Sequence, residues 1–311
     1  MNSIVSDVGG GARGAARRAV QKALRGMPLA AADFLYRQIK GSCRRLGFPP
    51  GAVETQLRSG QRMVVNLSDG QQRHIYYTGI YEHRFMRCLS RYLSAGQVFV
   101  DIGANVGAYT LFAAAQVGPA GQVYSIEPNP KAFARLRQNV ELNAFDNCTL
   151  LEKAVSDRAG SSAMFSAFDD LAVSRLVGSG SGTPPPPEET VMVALETLDA
   201  CLGDRADAVQ IVKADAEGAE MQILRGATAT LAARPYLLLE VDDRLLKNLG
   251  SSQEEVLGFL RDLRYKSYEV NASGKLTPFD WEKDRHIMGS GHHNLFFVPE
   301  GKPLCEEATG V

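Results

Sequence analysis

The sequence has too few cysteines, too widely spaced, for a disulfide framework or a zinc module. Cys43, Cys88, Cys148, Cys201 and Cys305 are scattered over 311 residues with no C-x-x-C pair. An odd set of isolated thiols suits a reducing compartment, and a cytoplasmic location is expected. No apolar run approaches the roughly 18 residues that a spanning helix requires, so no membrane crossing is expected. A surplus of one charge is also missing, since 34 Lys and Arg face 35 Asp and Glu. With aromatics at 8%, the body lacks the basic, aromatic-rich surface of a nucleic-acid reader, and no nucleic-acid partner is expected. What remains is the composition of an ordinary globular chain, 45% hydrophobic and 22% charged, long enough to bury a core.

The near-zero net charge conceals an asymmetry. The first fifty residues hold nine Arg or Lys against two acids, Asp7 and Asp33, which leaves 25 basic against 33 acidic residues in the rest. Between Ala12 and Met27 the residues Ala16, Val20, Ala23, Leu24 and Met27 share a helical face, with Arg13, Arg17, Arg18, Lys22 and Arg25 largely opposite. Such a helix fits a membrane surface, an acidic partner or a transit peptide. Its Ala and Val make only a weak apolar face, and a helix packed on the domain is the favoured reading. Residues 1–50 read as a basic N-terminal extension, 51–96 as a helical and strand lead-in, 97–300 as the main domain and 301–311 as a tail.

From Gln97 onward, short apolar runs ending in Gly, Asp or Glu alternate with helical segments, the pattern of a parallel sheet with crossover helices. Strands are expected at 98–100, 122–126, 149–153, 209–214 and 236–241, and helices at 109–116, 131–142, 219–232 and 253–263. Two late runs, 265–270 and 294–298, bring the count to about seven strands. The Gly/Ser/Pro stretch 178–187 can be neither helix nor central strand and reads as an inserted mobile loop. A second long loop, between the last two strands, carries Trp281, His286, His292 and His293.

The strongest local motif is Phe99-Val-Asp-Ile-Gly-Ala-Asn-Val-Gly-Ala-Tyr-Thr110, a strand entering a glycine-bearing turn and then a helix. Gly103 and Gly107 let backbone approach a ligand, and the helix start supplies free N–H groups. A dinucleotide loop would be G-x-G-x-x-G, but Asn105 stands at the central glycine. Glu127 closes the next strand, where a carboxylate can accept hydrogen bonds from a ribose diol. These residues alone leave a nicotinamide enzyme and a methyltransferase equally open.

Four blocks are more specific together than singly. They are Tyr81-Glu82, Val100–Thr110, Ile126-Glu-Pro-Asn-Pro130, and Ile211-Val-Lys-Ala-Asp-Ala-Glu-Gly-Ala-Glu220. In this order the chain resembles the FkbM family of S-adenosylmethionine-dependent methyltransferases over roughly residues 78–300. The resemblance implies a class I, Rossmann-like, doubly wound α/β sheet with one antiparallel strand in its final pair. It implies that Asp101, Gly103, Ala104, Asn105 and Gly107 shape the site for the methionine half of the cofactor, with Thr110 and Glu82 nearby. Glu127 would hold the ribose, and Asp157, or the backbone of Ala154 and Val155, would meet the adenine.

Methyl transfer from a sulfonium mainly requires alignment, which can supply roughly 7 to 11 kcal/mol. An alcohol must also lose a proton, and the candidate bases are Asp215, Glu217, Glu240, His292 and His293. Asp215 and Glu240, with Asp242 or Asp243, also offer oxygen ligands suited to Mg. The resemblance does not require a metal, and none is expected. The substrate implied is a hydroxyl on a sugar, polyketide or other secondary metabolite. Nitrogen methylation is disfavoured because Ala-Glu-Gly, not an Asp/Asn-Pro-Pro-aromatic turn, follows Asp215. Lys213, Glu220 and Thr197 are expected in structural roles, and Asp199 as a cap of the helix that follows it.

Overall fold

A computed structural model describes residues 11–48, 51–166, 174–177, 189–280, 282–284 and 293–305. In chain order, helices α1 (Ala12–Arg25) and α2 (Leu29–Arg45) lead into the hairpin β1 (Ala52–Gln56) and β2 (Arg62–Asn66), then α3 (Gly70–Thr78) and α4 (His83–Tyr92). The alternating segment follows as β3 (Val98–Ile102), α5 (Ala108–Val117), β4 (Gln122–Ile126), α6 (Pro130–Leu142) and β5 (Cys148–Leu151). Next come β6 (Ala154–Val155), β7 (Gly160–Phe165), β8 (Arg175–Leu176), β9 (Thr190–Glu196) and α7 (Leu198–Leu202). The rest comprises β10 (Val209–Ala214), α8 (Glu220–Arg225), α9 (Thr228–Ala232), β11 (Tyr236–Glu240), α10 (Asp243–Asn248), α11 (Gln253–Asp262), β12 (Tyr265–Val270), β13 (Leu276–Pro278) and β14 (Asn294–Pro299).

The main sheet runs β13-β12-β14-β11-β10-β3-β4-β5. Neighbours from β5 to β11 pair parallel, whereas β14 is antiparallel to both β11 and β12. This is the order of a class I methyltransferase sheet with β13 added at one edge, so the expected seven strands become eight. The chain winds outward from β3 to β5, then returns to β10 on the other side of β3. That reversal opens a crevice at the carboxyl ends of β3 and β10, where open α/β sheets take their ligands.

The period-2 alternation of the strands explains the two-sided burial. Val98, Val100 and Ile102 pack with Leu224, Val256 and Leu260 on one face. Phe99, between them in sequence, packs with Leu89, Ala113 and Val117 on the other.

The sequence suggests one helix over 219–232, but two form. A Cβ at Gly226 would lie 2.1 Å from the carbonyl oxygen of Ser156, and the backbone leaves helical angles at the next residue, Ala227 (φ -120°, ψ 34°), which separates α8 from α9. A separate sheet of order β6-β9-β7-β8 was not anticipated; β6 and β8 are two residues each, and β7 opens on Gly-Ser-Ser-Ala, so none of the three carries a strand-length apolar pattern. Residues 178–187, expected to form a mobile loop, lie outside the described residues, as do Trp281, His286 and His292.

The basic N-terminal segment is docked. Arg17 is 4% exposed and donates to the carbonyls of Leu46 and Gly47. Arg25 donates to the Gln56 and Tyr76 carbonyls and to the Thr55 hydroxyl. Leu24 and Tyr36 share one apolar cluster with Met63, Tyr77, Val106 and Leu136, so the described residues before position 80 and the main domain bury a common core. No helix among the described residues is long and apolar enough to cross a membrane.

Candidate active site

The loop after β3 is fixed by steric necessity. Gly103 has φ +69°, and a Cβ there would lie 1.9 Å from the carbonyl oxygen of Asp215, so only glycine lets the β3 and β10 tips approach this closely. Asn105 follows at φ 49°, a left-handed conformation that Asn tolerates better than most residues. Gly107 has a packing role, since its Cβ would sit 2.7 Å from Leu136 Cδ1.

Glu127 emerges from β4 beside this loop. Its carboxylate accepts from the backbone N–H groups of Asn105 and Asn129, each at 2.8 Å, which fixes its orientation and leaves acceptor capacity on both oxygens. Burial pushes its pKa up to about 7, against the opposing pull of those two N–H donors. Asn129 caps α6 and Pro130 begins it, so the turn after β4 is locally encoded.

Beneath the loop lies a buried ion pair. The Lys213 ammonium is 3.3 Å from Asp101 Oδ1 and 4.0 Å from Asp215 Oδ2, and it donates to the carbonyls of Ile102 and Gly103. Burial disfavours this ammonium, but Asp101, Asp215 and Glu82 outweigh the penalty and raise its pKa. Thr110 donates to Asp101 Oδ2 at 2.7 Å. Asp101 and Thr110 are both fully buried, so they support the loop from below and do not line the cavity.

At the tips of β10 and β11, Asp215, Glu217 and Glu240 place one oxygen each within 4.8 Å of one another. Burial and the neighbouring carboxylates raise Glu217 to about 8 and hold Glu240 far above the usual carboxylate range. Like charges this close cannot all ionise. Glu217 adopts φ 53°, a strained conformation at the cluster itself. The donor set is one that a hard divalent cation could use.

One cavity, enclosing about 980 Å³ with its open mouth, connects these parts. Gly103, Ala104, Asn105, Glu127, Asp215 and Glu217 line it directly. Glu240 is 5% exposed behind Asp215. Glu82 also stands off the lining, accepting at 2.6 Å from the hydroxyl of Tyr109, which does line it. Asp157 pairs with Arg158 in a turn away from the cavity, while Ala154 and Val155 remain in the wall. Of the residues expected to meet an adenine, Ala154 and Val155 line the cavity and Asp157 does not. The His293 carbonyl accepts from the N–H of Val241, and His293 is not in the wall.

The remaining structural expectations resolve locally. Glu220 accepts from the N–H of Ala216, and Thr197 caps α7. Asp199 caps α9, not the helix following it, by accepting from the N–H groups of Ala229 and Thr230. The wall also contains Gln71, Ile75, Met164, Arg175 and Leu176, none of them picked out from the sequence. They come from α3 and the small sheet, and only tertiary folding brings them to the crevice.

A family model described as a methyltransferase FkbM domain matches residues 101–267. The 2-O-methyltransferase NoeI of Sinorhizobium fredii is 28% identical over 160 residues, 48% of this chain and 65% of that protein. The 31-O-demethyl-FK506 methyltransferase FkbM of Streptomyces tacrolimicus is 33% identical over 115 residues, 35% of this chain and 40% of that protein. The match thus spans less than two thirds of either relative. Among solved structures, a methyltransferase FkbM from Methylobacillus flagellatus aligns with a TM-score of 0.41 at 14% identity, over 76% of this chain and 56% of that one. The strand order, not that alignment, carries the fold assignment.

Proposed function

The chain belongs to the FkbM methyltransferase family, and from that premise we propose that it methylates a hydroxyl of a small-molecule acceptor using S-adenosylmethionine. The observation that carries this reading is a single cavity lined both by Glu127, a carboxylate held by two backbone N–H groups with acceptor capacity to spare, and by Asp215 and Glu217 of the acid cluster. The cofactor supplies, when bound, a methyl group already activated on a sulfonium.

Glu127 is pre-oriented to accept from the ribose hydroxyls, and such added donors would favour the ionised form of this buried carboxylate. Pro128, Ala154, Val155, Met164 and Leu176 form an apolar slot beside it that fits a purine. The Asn105–Tyr109 turn takes the methionine end. Elsewhere in the cavity, burial and the neighbouring carboxylates keep protons on Glu217 and Glu240, and the Lys213 ammonium lies 4.0 Å from Asp215 Oδ2. Asp215 would take the acceptor hydroxyl's proton, and Glu217 would donate a hydrogen bond that orients the acceptor for the methyl group the cofactor would supply. The names of both relatives refer to O-methylation, in keeping with a hydroxyl acceptor.

Titration calorimetry with S-adenosylhomocysteine tests the cofactor assignment, with NAD as control. Micromolar binding of the former alone is expected, weakened at least tenfold in Glu127→Ala; binding of NAD, or of neither, would overturn the reading.

A further inference from the structure

Lys153, Arg175 and Lys213 are the cations in the wall of the reaction cavity, and two of them are engaged. Lys213 is held by Asp101, Asp215 and two carbonyls, and Lys153 pairs with Glu196 at 3.7 Å. Arg175, half-buried at the start of β8, is different. Among the described residues its guanidinium has no carboxylate or carbonyl partner; it rests on the ring of Phe165, 5.2 Å from the centroid. A guanidinium keeps its charge at any working pH and presents five N–H donors in a planar fork. Those donors make their strongest hydrogen bonds to anionic oxygens, so this part of the wall is complementary to an oxyanion.

The sheet that carries Arg175 also restrains it. Phe165 and Arg175 are register partners in the antiparallel β7–β8 pair, so the ladder sets the ring beside the guanidinium. The ring quadrupole attracts the cation and narrows the choice of rotamers for a long side chain. Its charge acts on the acid cluster. Burial, Asp215 and Glu220 push the Glu217 carboxyl up to about 8, and Arg175 opposes them. The charges acting most on Glu127, by contrast, are Lys213 and Asp101. Arg175 therefore belongs with the acid cluster and not with the carboxylate assigned to the ribose. It forms no ion pair with Glu217, so both groups remain exposed to whatever enters the cavity they line.

Resting on the methyltransferase reading above, we propose that Arg175 selects the acceptor: a hydroxyl compound that also bears an oxyanion, carboxylate or phosphate, held in the guanidinium fork. An anionic acceptor beside Asp215 would otherwise meet only repulsion from that carboxylate. A fixed cation in the same cavity offsets this and turns the acceptor so that its hydroxyl, not its anionic group, approaches Asp215. A neutral acceptor would leave the charged donors of Arg175 without an anionic partner when it displaced their water.

The test titrates the full chain, saturated with S-adenosylhomocysteine, with glucose, glucose 6-phosphate and glucuronate at constant ionic strength, followed by calorimetry. The three probes share one ring and differ at one carbon. Saturable binding of at least one anionic probe is expected, at least tenfold tighter than glucose, and the tighter of the two identifies the oxyanion. Arg175→Gln should abolish that preference, and Arg175→Lys, which keeps the charge but not the fork, should retain part of it. Phe165→Leu, which removes the ring and leaves the cation, should weaken the preferred probe severalfold. S-adenosylhomocysteine affinity should stay within twofold in all three variants, which also shows that they are folded. Absence of saturable binding by either anionic probe, or a preference that survives Arg175→Gln, overturns the proposal. So does a tenfold loss of S-adenosylhomocysteine affinity in Arg175→Gln, because the guanidinium would then serve the carboxylate of the cofactor. Failure of the parent chain to bind S-adenosylhomocysteine shows in the preceding titration and brings down the methyltransferase reading instead.

Discussion

A carboxyl group that keeps its proton at neutral pH is a hydrogen-bond donor, and the crevice concentrates such groups. Glu220 is 1% exposed and rises to about 7, driven by burial against the pull of the Ala216 N–H; Glu127 behaves alike and Glu217 reaches about 8. In the unfolded chain each would titrate near 4.3. The folded state therefore binds protons that unfolding releases between about pH 5 and 7. Stability from this source is fully present below the unfolded value and is lost as pH rises through the folded one. Glu220→Gln fixes the neutral form, and any constant effect of the amide is the same at both ends of the range. Its Tm relative to the parent chain should accordingly be higher at pH 8.5 than at pH 5.5 by at least about 3 °C, since 1 kcal/mol moves Tm by roughly 2 to 4 °C in a domain of this size. An offset that does not change with pH would show that Glu220 ionises normally in the folded chain.

At the scale of elements, the legible parts of the fold were those written in local pattern. The strands β3, β4, β10 and β11, the Asn129-Pro130 helix start and the Gly103 turn all follow from runs of a few residues. The run that forms β14 was legible locally, whereas an antiparallel strand in the final pair was expected only through the resemblance to a known family. Features set by contacts between distant residues were not legible. Gly226 gives no local sign that Ser156 will press on it, and nothing in Gln71 or Ile75 marks α3 as a cavity wall. The candidate site divides the same way. Glu127, Asp215 and Glu217 stand at strand tips that sequence reveals, whereas Asp101 and Thr110 prove to be buried supports because their mutual hydrogen bond spans two elements.

The basic helix α1 is the clearest case of an element whose charges mislead when counted along the sequence. Arg25 is enclosed and donates to the end of α3 and to β1, and its pKa is lowered chiefly by burial. A cation near a helix C-terminus also meets the negative end of the backbone dipole. Arg25→Ala should cost about 1 to 3 kcal/mol by leaving the Tyr76 and Gln56 carbonyls without this donor. Arg13→Ala, on the exposed side of the same helix, should stay within about 0.5 kcal/mol. Urea unfolding of the two variants decides the matter, and equal effects would mean that α1 is not docked as described.

For the whole molecule the question is whether the part preceding the family match is an attachment or a portion of one folding unit. The matched domain begins at Asp101, yet β2 has its outer edge satisfied by α6. The buried Asn139 accepts from the Val64 N–H at 2.7 Å and donates to the carbonyls of Val64 and Val106, and Asn143 makes the equivalent exchange with Arg62. An unpaired strand edge is costly to bury and hazardous to expose, so these side chains act as a surrogate strand. Together with the shared apolar cluster of Tyr36, Met63, Val106 and Leu136, they leave no surface along which residues 11–96 could separate without stripping both sides of their core. Scanning calorimetry of the full chain should therefore give a single transition in which the van't Hoff and calorimetric enthalpies agree. S-adenosylhomocysteine should raise that one Tm without splitting it, by mass action on the native state. Asn139→Leu, which keeps the volume but removes both ends of the link, should lower the Tm of the whole transition. Two resolved transitions, with only the higher responding to the ligand, would instead make the N-terminal part an independent module and confine the folding unit to the matched domain.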